Sequence, residues 1–564
     1  MKFTDYPYKR PDLKRITKSL QNRISAFENA HSYEEASDLL KKINKLRSDF
    51  TSAATIGQIR HTIDTKDSFY DTENQFFDEK SPVFEALITD FYKKLISHRF
   101  RPELEEHWGS QLFNIADLQI KTFKPSILTA LQNENKLASE YVKIKASAQI
   151  EFAEKTYNLS SLHPLEIDEN RTVRKSAAEA KWQFFADNAT EVERIYHDSV
   201  QTRHRISVDL GYKNFVELGY ARMLRSDYNA EMVANFRKQV EKFIVPISQK
   251  LYERQRKRLK ISSLKFYDEE FKFPSGNPKP KGEAEDILRG ADKMYSELSN
   301  DTDKFFQFMR SNELMDLVAK DGKATGGYCT YIGKYRSPYI FSNFNGTSGD
   351  IDVLTHEAGH AFQVFSSRDK GIAEYHWPTY EACEIHSMSM EFFTWPWMDL
   401  FFAEDTEKYR FAHLSGALQF LPYGVAVDEF QHFVYENPDV TPSARNQKWR
   451  EIEQKYMPQR DYDDIPFLEN GGFWQKQSHI FTTPFYYIDY TLAQICAFQF
   501  WKKDRENHKA AWADYVKLCK AGGSMSFLKL VELANLRSPF DDGCVESVIG
   551  EISDWLDSVD DTLF

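Results

Sequence analysis

A mostly α fold is expected on three grounds read along the chain. From the start to about residue 260, apolar residues recur at intervals of three or four with charges between them. A proline- and glycine-rich break over residues 273–282 gives way to a resumed helical pattern that runs to about residue 317. The texture then changes, and residues 326–344 show the aromatic richness and short alternation of a β-hairpin. The 564 residues suffice for several domains or for one large body with two lobes.

Taken in order, Tyr33, Ala36, Leu40, Ile43, Leu46 and Phe50 mark the first long amphipathic helix. The same period returns through Phe84 to Leu95, and again at Leu137, Tyr141, Ile144, Ala148 and Phe152. These helices are expected to form a scaffold lobe over residues 1–170, leaving 171–564 for the chemistry. In Phe273 to Gly282, three prolines and two glycines forbid a continuing helix, so a surface loop is expected there. The hairpin runs through Gly326, Gly327, Tyr328, Cys329, Thr330, Tyr331 and Ile332, turns between Gly333 and Pro338, and returns through Phe344. It either closes the core as a small sheet or offers an edge strand to an extended peptide. In the second case Gly326, Gly327 and Tyr328 would bind the peptide, the glycines allowing close backbone approach.

Composition narrows the function classes. The chain is 41% hydrophobic, 28% charged and 15% aromatic, as in an ordered globular protein. A net charge of −12 argues against a nucleic-acid partner, and the run Arg254 to Arg258 is expected to be a solvated helix end. No apolar stretch approaches the length of a membrane span or of a secretory leader, so no membrane partner and a cytoplasmic location are expected. The five cysteines are scattered and form no CxxC pair, consistent with reduced thiols.

The chemistry-bearing motif is His356-Glu357-Ala358-Gly359-His360. Polar residues of 345–350 cap a helix expected over about 350–368, on which the two imidazoles sit one turn apart with Glu357 beside them. This pattern reads as a zinc site with its own base for hydrolysis of a peptide bond. Asp352 continues the His356–His360 stripe, whereas Val353, Ala361, Val364 and Phe365 can pack elsewhere around the helix. Catalytic zinc needs a third protein ligand. The metzincin positions hold Gln363 and Ser366, which excludes that class. A second helix, about 379–394, carries Glu381, Glu384 and Glu391 close to one face among residues that look buried. His386 competes but points about 200° of rotation from Glu384 at ~100° per residue. Spacing leaves Glu381 and Glu384 tied.

His356 to His360 followed by Glu384-Ile385-His386-Ser387-Met388-Ser389-Met390-Glu391 resembles the oligoendopeptidase F and thimet oligopeptidase family of zinc peptidases. The likeness extends over roughly the C-terminal two thirds, through Arg203 to Phe215, Val427 to Gln431 with Tyr435, and Ala521 to Ser524. It implies a two-lobed helical body around a deep substrate channel, with one Zn2+ per chain held by His356, His360 and Glu384. Glu357 is then the general base, with Glu391 behind the ligands; Asp352, from its place on the histidine stripe, is a further candidate to stand behind them. The segment 471–490 is similar to the family's His- and Tyr-rich substrate loop, so His479, Tyr486, Tyr487 and Tyr490 are candidates to stabilise the oxyanion. Which tyrosine donates is open, because the spacing from His479 is one residue longer than the bacterial pattern. The glycines at 471, 472, 522 and 523 are hinges of this wall or plain turns.

The implied function is cleavage of internal bonds in short unfolded peptides, with no nucleic-acid or membrane partner and with a homo-oligomer compatible. One alternative is a zinc exopeptidase, for which Lys334, Arg336 or Arg445 would have to fix the substrate's terminal carboxylate. Another is a catalytically silent peptide-binding protein.

Overall fold

Ser32 caps the helix Tyr33–Ile63 by accepting from the Glu35 amide, an interaction typically worth ~1 kcal/mol, and Ala36, Leu40, Ile43 and Phe50 go to its buried side. The same logic repeats down the chain. Asp67 caps Ser68–Ile96, Asn170 caps the 40-residue helix Arg171–Leu210, and Gly211 ends the latter in the left-handed conformation. The computed structural model describes residues 1–564, of which 71% are helical.

Two apolar cores organise these helices. Residues from Leu20 to Ala116 pack among themselves and against Ile372 and Tyr375, while the larger core runs from Phe3 to Leu556 and takes in Leu137 and Tyr141. Between the two lies a cleft lined by Arg47, Tyr92 and Gln111 on one side and by the 356–384 region on the other.

Two helical expectations give way to strands. The pattern from Leu137 to Phe152 stays helical only to Ala146; Ile150–Phe152 (β1) then pairs antiparallel with Lys155–Tyr157 (β2). Ala153 and Glu154, at φ 49° and 62°, supply the two-residue turn whose twist suits a hairpin. Likewise, residues 283–317 hold the helices Ala284–Leu298 and Asn300–Ser311, after which Glu313 at φ 50° turns the chain into Met315–Val318 (β3).

The hairpin is present as Tyr328–Ile332 (β4) and Ser337–Phe344 (β5), with Cys329 opposite Ile340. Strand β3 adds in parallel to the far side of β5, so the order is β3-β5-β4 and β4 is an edge.

Two surface expectations also change. The loop 273–282 is partly tucked in, with Phe273 and Pro278 buried. The basic run ends the helix Val245–Arg258, but it is not simply solvated: Arg254 donates to Asp561 at 2.8 Å and Arg258 pairs with the same carboxylate, clamping the C-terminal segment.

The helix Gly349–Ser367 starts where Asp350 accepts from the amides of Asn345 and Gly346 at 2.9 and 2.8 Å. It packs on Tyr380–Phe393 so closely that a Cβ on Gly359 would lie 2.7 Å from both the His386 carbonyl oxygen and Ser387 Cα. Gly522 and Gly523 serve a similar purpose: a Cβ on either would fall 2.3 or 2.2 Å from the carbonyl oxygen of Tyr375 or Trp377. They are points of backbone contact between segments.

Gly359→Val should therefore push these two helices apart, with an expected loss of about 1–3 kcal/mol in denaturant unfolding. Gly550→Ala, where a Cβ meets nothing, is the control and should lose no stability.

Candidate active site

The close packing at Gly359 brings three potential metal donors together. His356 and His360 project one turn apart, and Glu384 reaches between them from the neighbouring helix. Glu384 Oε2 lies 3.1 Å from His356 Nε2 and 3.4 Å from His360 Nε2, and one donor atom from each residue falls within 4.8 Å of the others. Ser387 Oγ steadies the carboxylate from one turn on, at 2.8 Å. Burial opposes the charge on Glu384, but His360 and His356 outweigh it and hold its carboxyl well below the usual range.

Glu391 sits behind His356. One of its oxygens meets His356 Nδ1 at 2.7 Å and the other meets His413 Nε2 at 2.7 Å. With Nδ1 thus engaged, Nε2 of His356 is the nitrogen that faces Glu384. Burial works against protonation of His356, yet hydrogen bonds to Glu384 and Glu391 raise its pKa well above the ordinary value. Glu357, buried beside the triad, has an Oε2 without a hydrogen-bond partner, and burial raises its pKa. A Cβ added to Gly327 would stand 3.5 Å from Glu357 Oε1, so the start of β4 passes directly over this carboxylate.

Gly327, Tyr328, Cys329 and Thr330 line the same cavity of about 610 Å³ as His356, Glu357, His360 and Glu384. Tyr328 is fixed there by a 2.6 Å hydrogen bond to Thr62 and by stacking on Phe341. Gly326, at φ 94°, does not line the cavity; its carbonyl accepts from Asn343.

The opposite wall is a hydrogen-bonded relay. Tyr423 donates to Gln477 Oε1 at 2.9 Å, which turns the Gln477 amide nitrogen toward His479 Nδ1 at 2.7 Å. Burial pushes the His479 pKa down to about 4, so the ring is neutral at pH 7 and carries its proton on Nε2. That nitrogen lies 3.2 Å from the Tyr490 hydroxyl. It donates to the phenol oxygen, so the Tyr490 proton turns away from His479 toward the neighbouring Tyr486 hydroxyl at the cavity. The Tyr486 hydroxyl instead donates to Glu384 Oε1.

Two buried arginines bolt this wall in place. Arg203 donates to the carbonyl oxygens of Ile480 and Phe481 at 3.2 and 2.5 Å while pairing with Glu134 at 2.7 Å. Arg225 holds the Phe485 carbonyl and Asp489, both at 2.6 Å.

Not every residue singled out from the sequence reaches the cavity. Tyr487 faces Phe420 and Tyr423 in a second, adjoining cavity, because it is one residue round the helix from Tyr486. Asp352 accepts from Tyr409 at 2.6 Å and contacts neither histidine. Glu381 is fully buried away from the triad, its pKa raised by burial, and His386 is equally buried outside the donor set. Arg336 pairs with Asp369, Lys334 lies 3.7 Å from Asp49, and Arg445 is buried against Tyr196; none of the three lines the cleft.

Sequence reading missed His413 and Gln477, which join the site from separate elements with no shared spacing, and Tyr380, which lines the cavity one turn before Glu384 on the same helix, a spacing that could have found it. It also missed Arg47, Tyr92 and Gln111, which bring the N-terminal helices into the cavity wall.

Comparison with known proteins agrees in family and fold. A model of peptidase family M3 matches residues 165–548, and a model of the peptidase M3 N-terminal domain matches residues 3–123. An oligoendopeptidase F homolog of Borreliella burgdorferi is 24% identical over 449 residues, covering 75% of this chain and 72% of its own. The chromosomal oligoendopeptidase F of Lactococcus lactis subsp. cremoris is 23% identical over 380 residues, 65% of this chain and 60% of its own. The solved structure of Pz peptidase A with inhibitor 2 is 60% identical, with a TM-score of 0.99 and both chains covered in full.

Glu384→Ala is expected to lose a divalent transition metal on dialysis, whereas Glu381→Ala should retain it, as read by elemental analysis. Glu391→Gln should weaken metal affinity by about 10–100-fold.

Proposed function

The chain belongs to peptidase family M3, and from that premise we propose that it is a zinc-dependent oligoendopeptidase cutting internal bonds of short, unfolded peptides. The observation that carries this reading is the convergence of a His356–His360–Glu384 donor set, the unpartnered Glu357 oxygen and a free strand edge on one cavity. Two imidazole nitrogens and one carboxylate oxygen, with no basic side chain among them, suit a zinc ion that keeps one position open. Such an ion, when bound, supplies Lewis acidity and brings a water toward pKa ~7.

The protein's own groups then divide the work. The peptide lies extended along the free edge of β4, its backbone pairing with the strand and approaching closely at Gly327. Glu357 accepts the proton of the attacking water and passes it to the leaving amine; its raised pKa, set by burial, suits both transfers. Tyr490 donates to the oxyanion: His479 occupies its oxygen, and its proton turns from the Tyr486 hydroxyl to the substrate. Tyr486, held on Glu384, is the second hydroxyl at the cavity. Gln477 keeps His479 in the tautomer the relay needs.

Substrate size follows from the location of the cavity. Arg47, Tyr92 and Gln111 face the ligand helices across it, so a chain must enter extended to reach the β4 edge. The division into an N-terminal lobe to about residue 170 and a catalytic region from 171 to 564 belongs to the same reading. So does residence in the cytoplasm, supported by five free cysteines and by the absence of any helix long and apolar enough to cross a membrane.

Glu357→Gln should keep its zinc by elemental analysis but lose at least about 10²-fold in kcat on an internally quenched peptide blocked at both ends. Near wild-type turnover would remove Glu357 from the base role. Tyr490→Phe should lower kcat about 10²–10³-fold with little change in KM, whereas Tyr487→Phe should stay close to wild type.

A further inference from the structure

His479 and Tyr490 separate the cavity of the ligand triad from a second one of about 540 Å³ and line both. Tyr487, Tyr490 and Gln494, at i, i+3 and i+7 of the helix Tyr487–Ala521, form one wall of this second cavity. Asp352 and Lys272 stand on other sides of it.

The polar groups here are unevenly satisfied. The acids already have donors: Asp352 has the Tyr409 hydroxyl, and Glu391 has His356 and His413. The donors are less well served. Lys272 Nζ touches only the neutral Gln419 Oε1, at 2.9 Å, and has no carboxylate within 4.0 Å. Gly416, one turn before Gln419, also faces this ammonium but presents no side chain; a Cβ there would lie 3.7 Å from Lys272 Nζ. Gln494 Nε2 is buried, at 4% residue exposure, and has no partner at all. A half-buried ammonium without a counter-ion and an orphaned amide donor on one cavity are what a carboxylate ligand would satisfy. Burial lowers the Lys272 pKa to about 8, which leaves the ammonium charged at pH 7.

Chain direction says which carboxylate. Strand β4 runs from Gly327, over Glu357, away toward the turn Gly333–Tyr335 against Ser48 and Ser52. A peptide added antiparallel to its free edge runs the other way, so the residues beyond the cut pass Gly327 and leave on the side where Ser348 opens the ligand helix. Ser348 lines the second cavity.

We propose that this second cavity receives the C-terminal end of the substrate, with Lys272 and the Gln494 amide binding its terminal carboxylate. The inference rests on the oligoendopeptidase reading and adds a preference to it: peptides with a free C-terminus bind better than the same peptides amidated, although both are cut.

The test measures binding of one fluorescent peptide as free acid, C-terminal amide and N-acetyl form. It uses full-length zinc-loaded Glu357→Gln protein, so that turnover does not enter the readout. Amidation should weaken binding by about tenfold, the size of one charge-assisted contact. Adding Lys272→Met should bring the acid-to-amide ratio close to one, and Lys272→Arg should keep it above one. A ratio unchanged by Lys272→Met, or no effect of amidation before that change, overturns the proposal while leaving the peptidase reading intact. Sensitivity to N-acetylation in place of amidation overturns it by reversing the chain direction. If none of the three forms binds, both readings fall.

Discussion

The approach of two helices with no side chain between them is the constraint on which the rest depends. At Gly359 the helix Gly349–Ser367 rests on the backbone of His386 and Ser387, and this depth lets the short side chain of Glu384 reach both imidazoles. One more carbon at that contact would displace the carboxylate relative to the histidines by a distance comparable to a bond length. Donor geometry tolerates little of that. A glycine inside a helix costs about 1 kcal/mol relative to alanine, and here the cost is offset by burying the faces of two helices against one another.

Once the helices are that close, charge must be arranged, because water is excluded. Glu384, Glu391, His356, His360 and His413 form a chain in which each carboxylate meets imidazole nitrogen on two sides. Removing one partner would strand a buried charge, a loss of order 3–5 kcal/mol for a desolvated pair. The network therefore supports the fold and poises the site at once: it points His356 Nε2 and His360 Nε2 at one spot. Glu357, left outside the pairing, keeps an oxygen free.

The facing wall is held by a different device. It comes from two short helical turns, Gly472–Lys476 and Ser478–Thr482, followed by an irregular link in which Phe485 sits at φ 67°. Such a segment would be mobile on its own. Arg203 and Arg225 bind its carbonyl oxygens from buried positions and are themselves neutralised by Glu134 and Asp489. Because Glu134 belongs to the helix Leu128–Ala146, the N-terminal part of the chain helps to fix the wall that carries His479 and Tyr490. That link gives residues read as scaffold a direct bearing on the chemistry.

The sequence by itself determined the helical class, the hairpin beside the ligand helix and the His356–Glu357–His360 stripe. Those features are local: a 3.6-residue period and a five-residue motif fix which side chains share a face. Spacing could not separate Glu381 from Glu384, since residues three apart lie on nearly the same side of a helix. The crossing at Gly359 decided it geometrically, turning Glu384 toward the imidazoles and burying Glu381 elsewhere. The same holds for the tyrosines. Tyr486, Tyr487 and Tyr490 look alike in the sequence, but one helix orientation sends Tyr486 into the cavity of the donor triad, Tyr487 into its neighbour, and Tyr490 between the two. His413, Gln477 and Lys272 were illegible because their partners Glu391, Tyr423 and Gln419 lie on other elements, and the unpartnered Gln494 amide shows only once its burial is known. The strands β1 and β3 were hidden for the opposite reason: three or four residues are too few to show a period, so a turn at Ala153–Glu154 and a neighbour in β5 decided them.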